Sequence, residues 1–166
     1  MFKKNKKGYI QDFIFFGLVI FVISIIIIVG SKLSDDINTN YQNLSSSTEG
    51  KEISQELSDR FTNVFDWLFL TVFVLLGLAI IGSMFLLDTH PVLFFVVVVI
   101  FGFILIVMAI IGNVYDKFST NANISSYASS LTITNWLMNS WLIALTVLGF
   151  LGIIALFAKM RMGTFR

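Results

Sequence analysis

The side chains that could do chemistry are few, and they lie at the ends of long apolar runs. Asp12, Asp66 and Asp88 each border such a run, and His90 is the only histidine. One histidine beside one carboxylate does not supply enough ligands for a metal site, and a carboxylate at the end of an apolar run is expected to be hydrated. The sequence also has no cysteine, no glycine-rich phosphate loop and no nucleophile elbow. We therefore predict no catalytic residue, no metal site and no cofactor.

The apolar runs are long enough to cross a lipid bilayer. Residues 67–87 and 92–111 carry no charge, and at about 1.5 Å per helical residue each run spans roughly 30 Å, the thickness of the hydrocarbon core. Residues 13–30 and about 141–158 form two more runs. Only 13% of the residues are charged, against about 25% in soluble domains. The predicted fold class is an all-α, polytopic integral membrane protein with four transmembrane helices. Because none of the runs contains an ionisable side chain, a proton pump or an ion-coupled carrier is not favoured.

The polar segment 31–66 continues the helical pattern of the spans on either side of it. Between its halves lies a serine-rich turn, in which Ser46 and Glu49 have the spacing of a capping box. We predict an antiparallel helical hairpin outside the bilayer; a flexible, loosely helical loop is the alternative. Apolar residues in each half recur every three or four positions, which places them on one helical face. The two predicted stripes, which we expect to pack against each other and to leave apolar surface for a neighbouring copy or another protein, are Leu33, Ile37, Tyr41 and Leu44, and Ile53, Leu57, Phe61 and Val64.

The second polar segment, 113–140, contains another helical pattern. One side of a helix would carry Ile124, Tyr127, Ala128, Leu131, Asn135 and Met138, which predicts a short helix lying at the membrane interface. Trp136 and Trp141 are expected to anchor the start of the last span at the bilayer boundary.

Small residues suggest where the spans approach each other closely. Gly77, Ala79, Gly82 and Ser83 lie on the second span, and Gly149 and Gly152 on the fourth. Small side chains let membrane helices pack backbone to backbone, although glycine is also simply common in such helices.

The distribution of basic residues predicts the orientation. Lys3, Lys4, Lys6 and Lys7 precede the first span, and Lys159, Arg161 and Arg166 follow the last, whereas the polar segments hold only Lys32, Lys51, Arg60 and Lys117. Basic residues are retained on the cytoplasmic side, so both termini are predicted to be cytoplasmic. A cleaved signal peptide ending near Val29-Gly30-Ser31 and a pilin-like leader are alternatives for the first run.

The last third of the chain resembles small membrane proteins of tailless icosahedral viruses that have an internal membrane. The residues concerned are Asn113-Val-Tyr-Asp-Lys-Phe, Tyr127-Ala-Ser-Ser-Leu-Thr-Ile-Thr-Asn-Trp and Ile154-Ala-Leu-Phe-Ala-Lys. The resemblance implies a virion membrane protein with a structural role beneath a double jelly-roll capsid. The resemblance assigns no functional residue to this chain.

The sequence is compatible with three functions. The favoured one is a structural or assembly subunit of a membrane-embedded complex, whose partners would be the lipid bilayer, further copies of the chain, or other membrane or capsid proteins. An accessory subunit of a host membrane enzyme or secretion complex is the second. A holin-like pore is the third, but Thr71, Ser83 and Thr146 are too few and too scattered to line one. With a net charge of +1, specific nucleic-acid binding is not predicted.

Overall fold

A computed structural model of the chain describes residues 8–85 and 91–163, with side chains described for 14–82, 94–159 and 161. The side chains of Asp12, Ser83, Asp88 and His90 lie outside that part, as do the basic residues Lys3, Lys4, Lys6, Lys7 and Arg166. All regular structure in the described residues is α-helical. The helices are α1 (Gly8–Leu44), α2 (Thr48–Phe85), α3 (Pro91–Ser119), α4 (Ser125–Ser130), α5 (Thr132–Asn139) and α6 (Trp141–Gly163).

Four of these helices are long and apolar enough to span a membrane, which confirms the predicted fold class. The qualifying segments are Ile14–Leu44, Thr48–Gly82, Phe94–Ser119 and Trp141–Lys159. At about 1.5 Å per residue, the 37 residues of α1 and the 38 residues of α2 make helices of roughly 55 Å, far longer than the roughly 30 Å of hydrocarbon. The excess forms the predicted hairpin, which continues both spans without a break because neither polar half contains a proline.

The four long helices form a bundle in the order α1, α2, α6, α3 around its axis. Its core contains an aromatic cluster in which the ring centroids of Phe16 and Phe73 are 5.8 Å apart, and Trp141 lies 6.3 Å from each of them. Trp141 is only 1% exposed. The prediction that Trp141 anchors the bilayer boundary is therefore wrong: its ring fills the space between α1 and α2, where it removes a large apolar area from the surroundings.

Glycines mark two of the closest helix contacts. A β-carbon on Gly149 of α6 would collide with the ring of Phe101 on α3, and one on Gly77 would come within 3.1 Å of the Leu148 side chain. Gly82 and Gly102, in contrast, have no neighbour within 4 Å of such an atom. Small residues thus serve packing at Gly77 and Gly149, and Gly82 has no such contact.

The segment between α3 and α6 differs in detail from the single predicted helix. α3 continues to Ser119, and the predicted helix is divided into α4 and α5 at Leu131, whose φ and ψ of −85° and 75° are not helical. Ala128, Leu131 and Met138 are buried, as one side of this segment packs against α1, α2 and α3. The apolar side from which we predicted an interfacial helix covers the bundle.

Candidate interaction site

The tip of the hairpin is a tight serine turn. The backbone N–H of Ser45 donates to the Tyr41 carbonyl at 2.9 Å, and that of Ser47 to the Ser45 hydroxyl at 3.2 Å. The Ser47 hydroxyl then accepts the Gly50 N–H at 3.2 Å. It thereby satisfies one of the free N–H groups in the first turn of α2. The cap is one residue later than the predicted Ser46.

A ladder of polar side chains joins α1 to α2. The hydroxyls of Ser31 and Thr62 are 2.7 Å apart, and the Asn38 amide donates to the Gln55 carbonyl oxygen at 2.7 Å. Weaker or flanking bonds are those from Ser34 to Ser58, from Ser54 to Asn38, and from Gln42 to the Lys51 carbonyl. Ser31, Asn38 and Ser58 are buried. Because these buried polar groups find partners across the seam, the ladder fixes the antiparallel register of the hairpin.

The two apolar stripes flank this seam and do not fill it. Leu33, Ile37 and Leu57 are 59%, 60% and 68% exposed, and together with Phe61 they line a shallow groove of about 270 Å³ on one side of the hairpin. Further apolar residues at helical spacing lie on the same side, toward the tip and the base of the hairpin. We call it the hairpin face: Leu33, Ile37, Tyr41, Leu44, Ile53, Leu57, Phe61 and Val64, of which all but the half-buried Phe61 are exposed.

The prediction that these stripes pack against each other is therefore wrong. A polar stripe with the same helical spacing, Ser31, Ser34, Asn38 and Gln42, lies about one position away from the apolar stripe. Its short hydroxyl side chains allow the helices to approach closely, and its amides pair across the seam with residues of α2. The polar stripe was a visible signal, but apolar periodicity alone gave no reason to prefer it.

The charged residues of the hairpin lie mostly on its outer surface, as predicted. Glu49, Glu52 and Glu56 are exposed. Arg60 donates to the Glu56 carboxylate at 2.6 Å, one helical turn away. Exposed pairs of this kind contribute at most a few tenths of a kcal/mol to the stability of the fold. The charges therefore favour solubility and add little to stability.

The other side of the hairpin is covered near its base by α4 and α5. Asp35 follows Leu33 by two positions and so lies about 200° around α1. Its carboxylate accepts a hydrogen bond of 3.1 Å from the Tyr127 hydroxyl of α4. This bond to the Asp35 carboxylate is the main reason that the pKa of Tyr127 is raised. Both residues line a polar cleft of about 600 Å³ between the hairpin and the two short helices.

Asp66 makes the closest connection between the hairpin and α5. Its two carboxylate oxygens accept the backbone N–H groups of Ile133 and Thr134 at 2.8 and 2.7 Å, in the first turn of α5, where a negative charge also meets the positive end of the helix dipole. Asp66 is only 6% exposed. The prediction of a hydrated carboxylate is therefore wrong, because hydrogen bonds from protein N–H groups replace those from water.

Trp67 and Trp136 are exposed tryptophans close to Asp66. Trp67 directly follows Asp66, and Trp136 lies in α5, whose first turn Asp66 caps. Exposed tryptophans are typical of the boundary between lipid and water, and we call the height of Trp67 the tryptophan level. Through the register of the seam, Trp67 is level with about residue 26 of α1. From the tryptophan level to its tip the hairpin is roughly 25 Å long at 1.5 Å per residue.

The described residues offer an exposed apolar surface on the hairpin. Within the described residues, no group of three or more His, Cys, Asp or Glu side chains is placed to hold a metal ion. No family model, no curated protein and no solved structure matches the chain.

Proposed function

We propose that this protein is a structural subunit of a membrane-embedded complex, and that the hairpin face is the surface through which it assembles. One observation supports the proposal most directly: the hairpin keeps polar side chains inside its seam and presents its apolar residues to the outside. A hairpin in water without a partner would be expected to do the reverse, because burial of apolar area is the main favourable term.

The expected position of the hairpin face favours protein over lipid as its cover. Lipid can cover the exposed apolar residues of α1 within the bilayer, such as Phe15, Leu18 and Val22. Leu33, Ile37 and Tyr41 lie beyond the tryptophan level, where lipid tails do not reach. Contiguous apolar surface that protrudes into water generally marks a protein contact.

Replacing Leu57 with aspartate is expected to abolish assembly and to leave the monomer folded. Leu57 is 68% exposed in the single chain, so the change removes little internal contact. At a closed interface it would bury an unpaired charge, at about 3 kcal/mol, which corresponds to more than a hundredfold weaker association. The measurement is the mass of the complex in mild detergent by native mass spectrometry or light scattering, with helical content by circular dichroism.

Three variants serve as controls. Thr39→Asp adds the same charge to an exposed position about 200° around α1 from Ile37, and Glu49→Gln and Glu56→Gln alter exposed acids. All three should assemble like the parent chain. Unchanged assembly by both Leu57→Asp and Phe61→Asp would remove the hairpin face from the proposal and leave assembly to surfaces inside the membrane.

The location of such a complex is a separate proposal. A place in the internal membrane of a virion, beneath the capsid, is supported only by the resemblance of the last third of the sequence. Assembly in a host enzyme or secretion complex would use the same surface. Co-purification with virus particles, or with a host complex, distinguishes the two locations.

A pore receives less support from the same structure. Thr71 and Thr146 donate their hydroxyls to carbonyls one turn earlier in their own helices, at 3.0 and 2.7 Å. Hydroxyls bound in this way offer little to a water-filled channel. Among the described span residues, polar groups therefore form no continuous lining.

The orientation is expected to place both termini in the cytoplasm. α1 and α3 run in the same direction and α2 and α6 in the other, so the Ser45 turn and Asn123 lie at one end of the bundle. Single cysteines at positions 45 and 123 of this cysteine-free chain should react with a membrane-impermeant thiol reagent in intact cells. Cysteines at positions 4 and 164 should react only after permeabilisation, and the opposite labelling pattern would reverse the orientation.

A further inference from the structure

The seam of the hairpin fixes the height of every residue on the hairpin face. Hydrogen bonds pair Ser31 with Thr62 and Asn38 with Gln55. Extending this register to the neighbouring positions places Leu33 level with Phe61, Ile37 with Leu57, and Tyr41 with Ile53, each to within one or two residues of helical rise. Six of the eight residues of the hairpin face thus form three level rungs, each with one apolar residue from α1 and one from α2, and Leu44 and Val64 lie above and below them.

We propose that the occupant of the hairpin face is the hairpin face of a second copy of this chain. This inference rests on the proposed function and names the partner. Two copies inserted into one membrane in the same orientation form a closed symmetric pair about a twofold axis along the membrane normal. Such an interface is isologous, so each rung must fit its own counterpart. Because both members of every rung lie at one height, the two faces meet without any vertical offset.

The resulting arrangement is a four-helix bundle above the membrane. The twofold axis places α1 of one copy opposite α2 of the other, so Ile37 faces Leu57 of the second copy and Leu33 faces Phe61. Every adjacent pair of helices is then antiparallel, as in up-and-down four-helix bundles. An isolated pair of helices has little core of its own, and the second pair supplies the missing apolar contacts.

The size of the face sets how far the contact must extend. From the tryptophan level to Leu44, the hairpin face is about 25 Å long and two helices, or about 20 Å, wide. This footprint of roughly 500 Å² is below the roughly 800 Å² per partner of a stable interface. The exposed stripes continue into the bilayer through Ile26 on α1 and Leu68 on α2. A second copy has these stripes at the same depth and so completes the contact on both sides of the boundary.

Disulfide cross-linking between two tagged forms of the chain tests this geometry. One form carries Ile37→Cys and one tag, the other Leu57→Cys and a second tag, and they are co-expressed and oxidised in membranes. Each chain then has a single cysteine, so every disulfide joins two copies. We expect the mixed 37–57 disulfide to exceed the 37–37 and 57–57 products at least fivefold, because residues 37 and 57 of different copies face each other on adjacent helices, whereas the like pairs lie diagonally across the bundle. Thr39→Cys with Glu56→Cys, on the outer surfaces, is the control pair and should give little product.

The outcomes separate this inference from the proposed function. Dominant 37–37 product would overturn the pairing of α1 with α2 of the second copy, because it would place the two α1 helices against each other. Little product from any position, with Leu57→Asp still losing a co-purified protein of different mass, would overturn the second copy and leave the assembly role intact. Little product with no partner lost in the Leu57→Asp variant would overturn both.

Discussion

Replacing Asp66 with alanine is expected to lower the free energy of unfolding by about 3 kcal/mol or more. The change leaves the N–H groups of Ile133 and Thr134, which now donate to the carboxylate at 2.8 and 2.7 Å, without an acceptor in a buried place. A hydrogen bond to a charged group contributes about 1.5–3 kcal/mol, and the loss of the charge at the start of α5 adds to the effect. Thermal unfolding of the detergent-solubilised protein should begin about 6–12 °C lower.

The Asp66→Ala change should release α4 and α5 from the hairpin before the whole bundle unfolds. Asp66 and the bond from Tyr127 to Asp35 hold α4 and α5 against the hairpin, so the Asp66→Ala variant should become sensitive to protease between α3 and α6. Asp66→Asn should fall between alanine and the parent chain, because its amide oxygen accepts one N–H while its NH₂ group opposes the other. Asp59→Ala, a neighbouring exposed acid, is the control. If Asp66→Ala melts and resists protease like Asp59→Ala, the capping bonds do not stabilise the fold.

Replacing Gly149 with leucine is expected to cost about 3 kcal/mol through overpacking. Even a β-carbon at Gly149 would occupy the space of the Phe101 ring, so α3 and α6 must move apart or the ring must leave its position. Gly102→Leu is the matched control, because Gly102 lies in α3 with nothing within 4 Å of an added β-carbon. Thermal unfolding in detergent measures both variants, and only Gly149→Leu should be clearly less stable.

A second substitution tests the cause of that loss. Phe101→Ala removes the ring, and in its presence Gly149→Leu should be much less harmful, which gives a coupling free energy of at least about 1 kcal/mol in a double-mutant cycle. Additive effects of the two changes would mean that Gly149 matters for some reason other than contact with Phe101.

Local sequence was sufficient for the helices and for the hairpin. Each apolar run is about as long as a bilayer is thick, and the apolar pattern of 31–66 keeps the helical period of the spans that it joins. Length and period depend only on neighbouring residues, so the four membrane-spanning helices, the projecting pair and the exposed acids at its edges could be predicted. The Ser45–Ser47 turn could be placed to within one residue for the same reason.

The tertiary structure decided which residues the helices bury. Both the apolar stripe of Leu33 and Ile37 and the polar stripe of Ser34 and Asn38 have helical spacing, and only the partner helix determines which of them enters the seam. The hydrated state predicted for Asp66 and the anchoring role predicted for Trp141 were wrong for a related reason. Asp66 meets N–H groups 67 and 68 positions away along the chain, and Trp141 meets aromatic rings from α1 and α2. The periodicity of the sequence determines the side of its own helix on which a side chain lies. The packing of distant segments determines which group that side chain contacts. This contact decides whether a polar or aromatic side chain is buried or exposed.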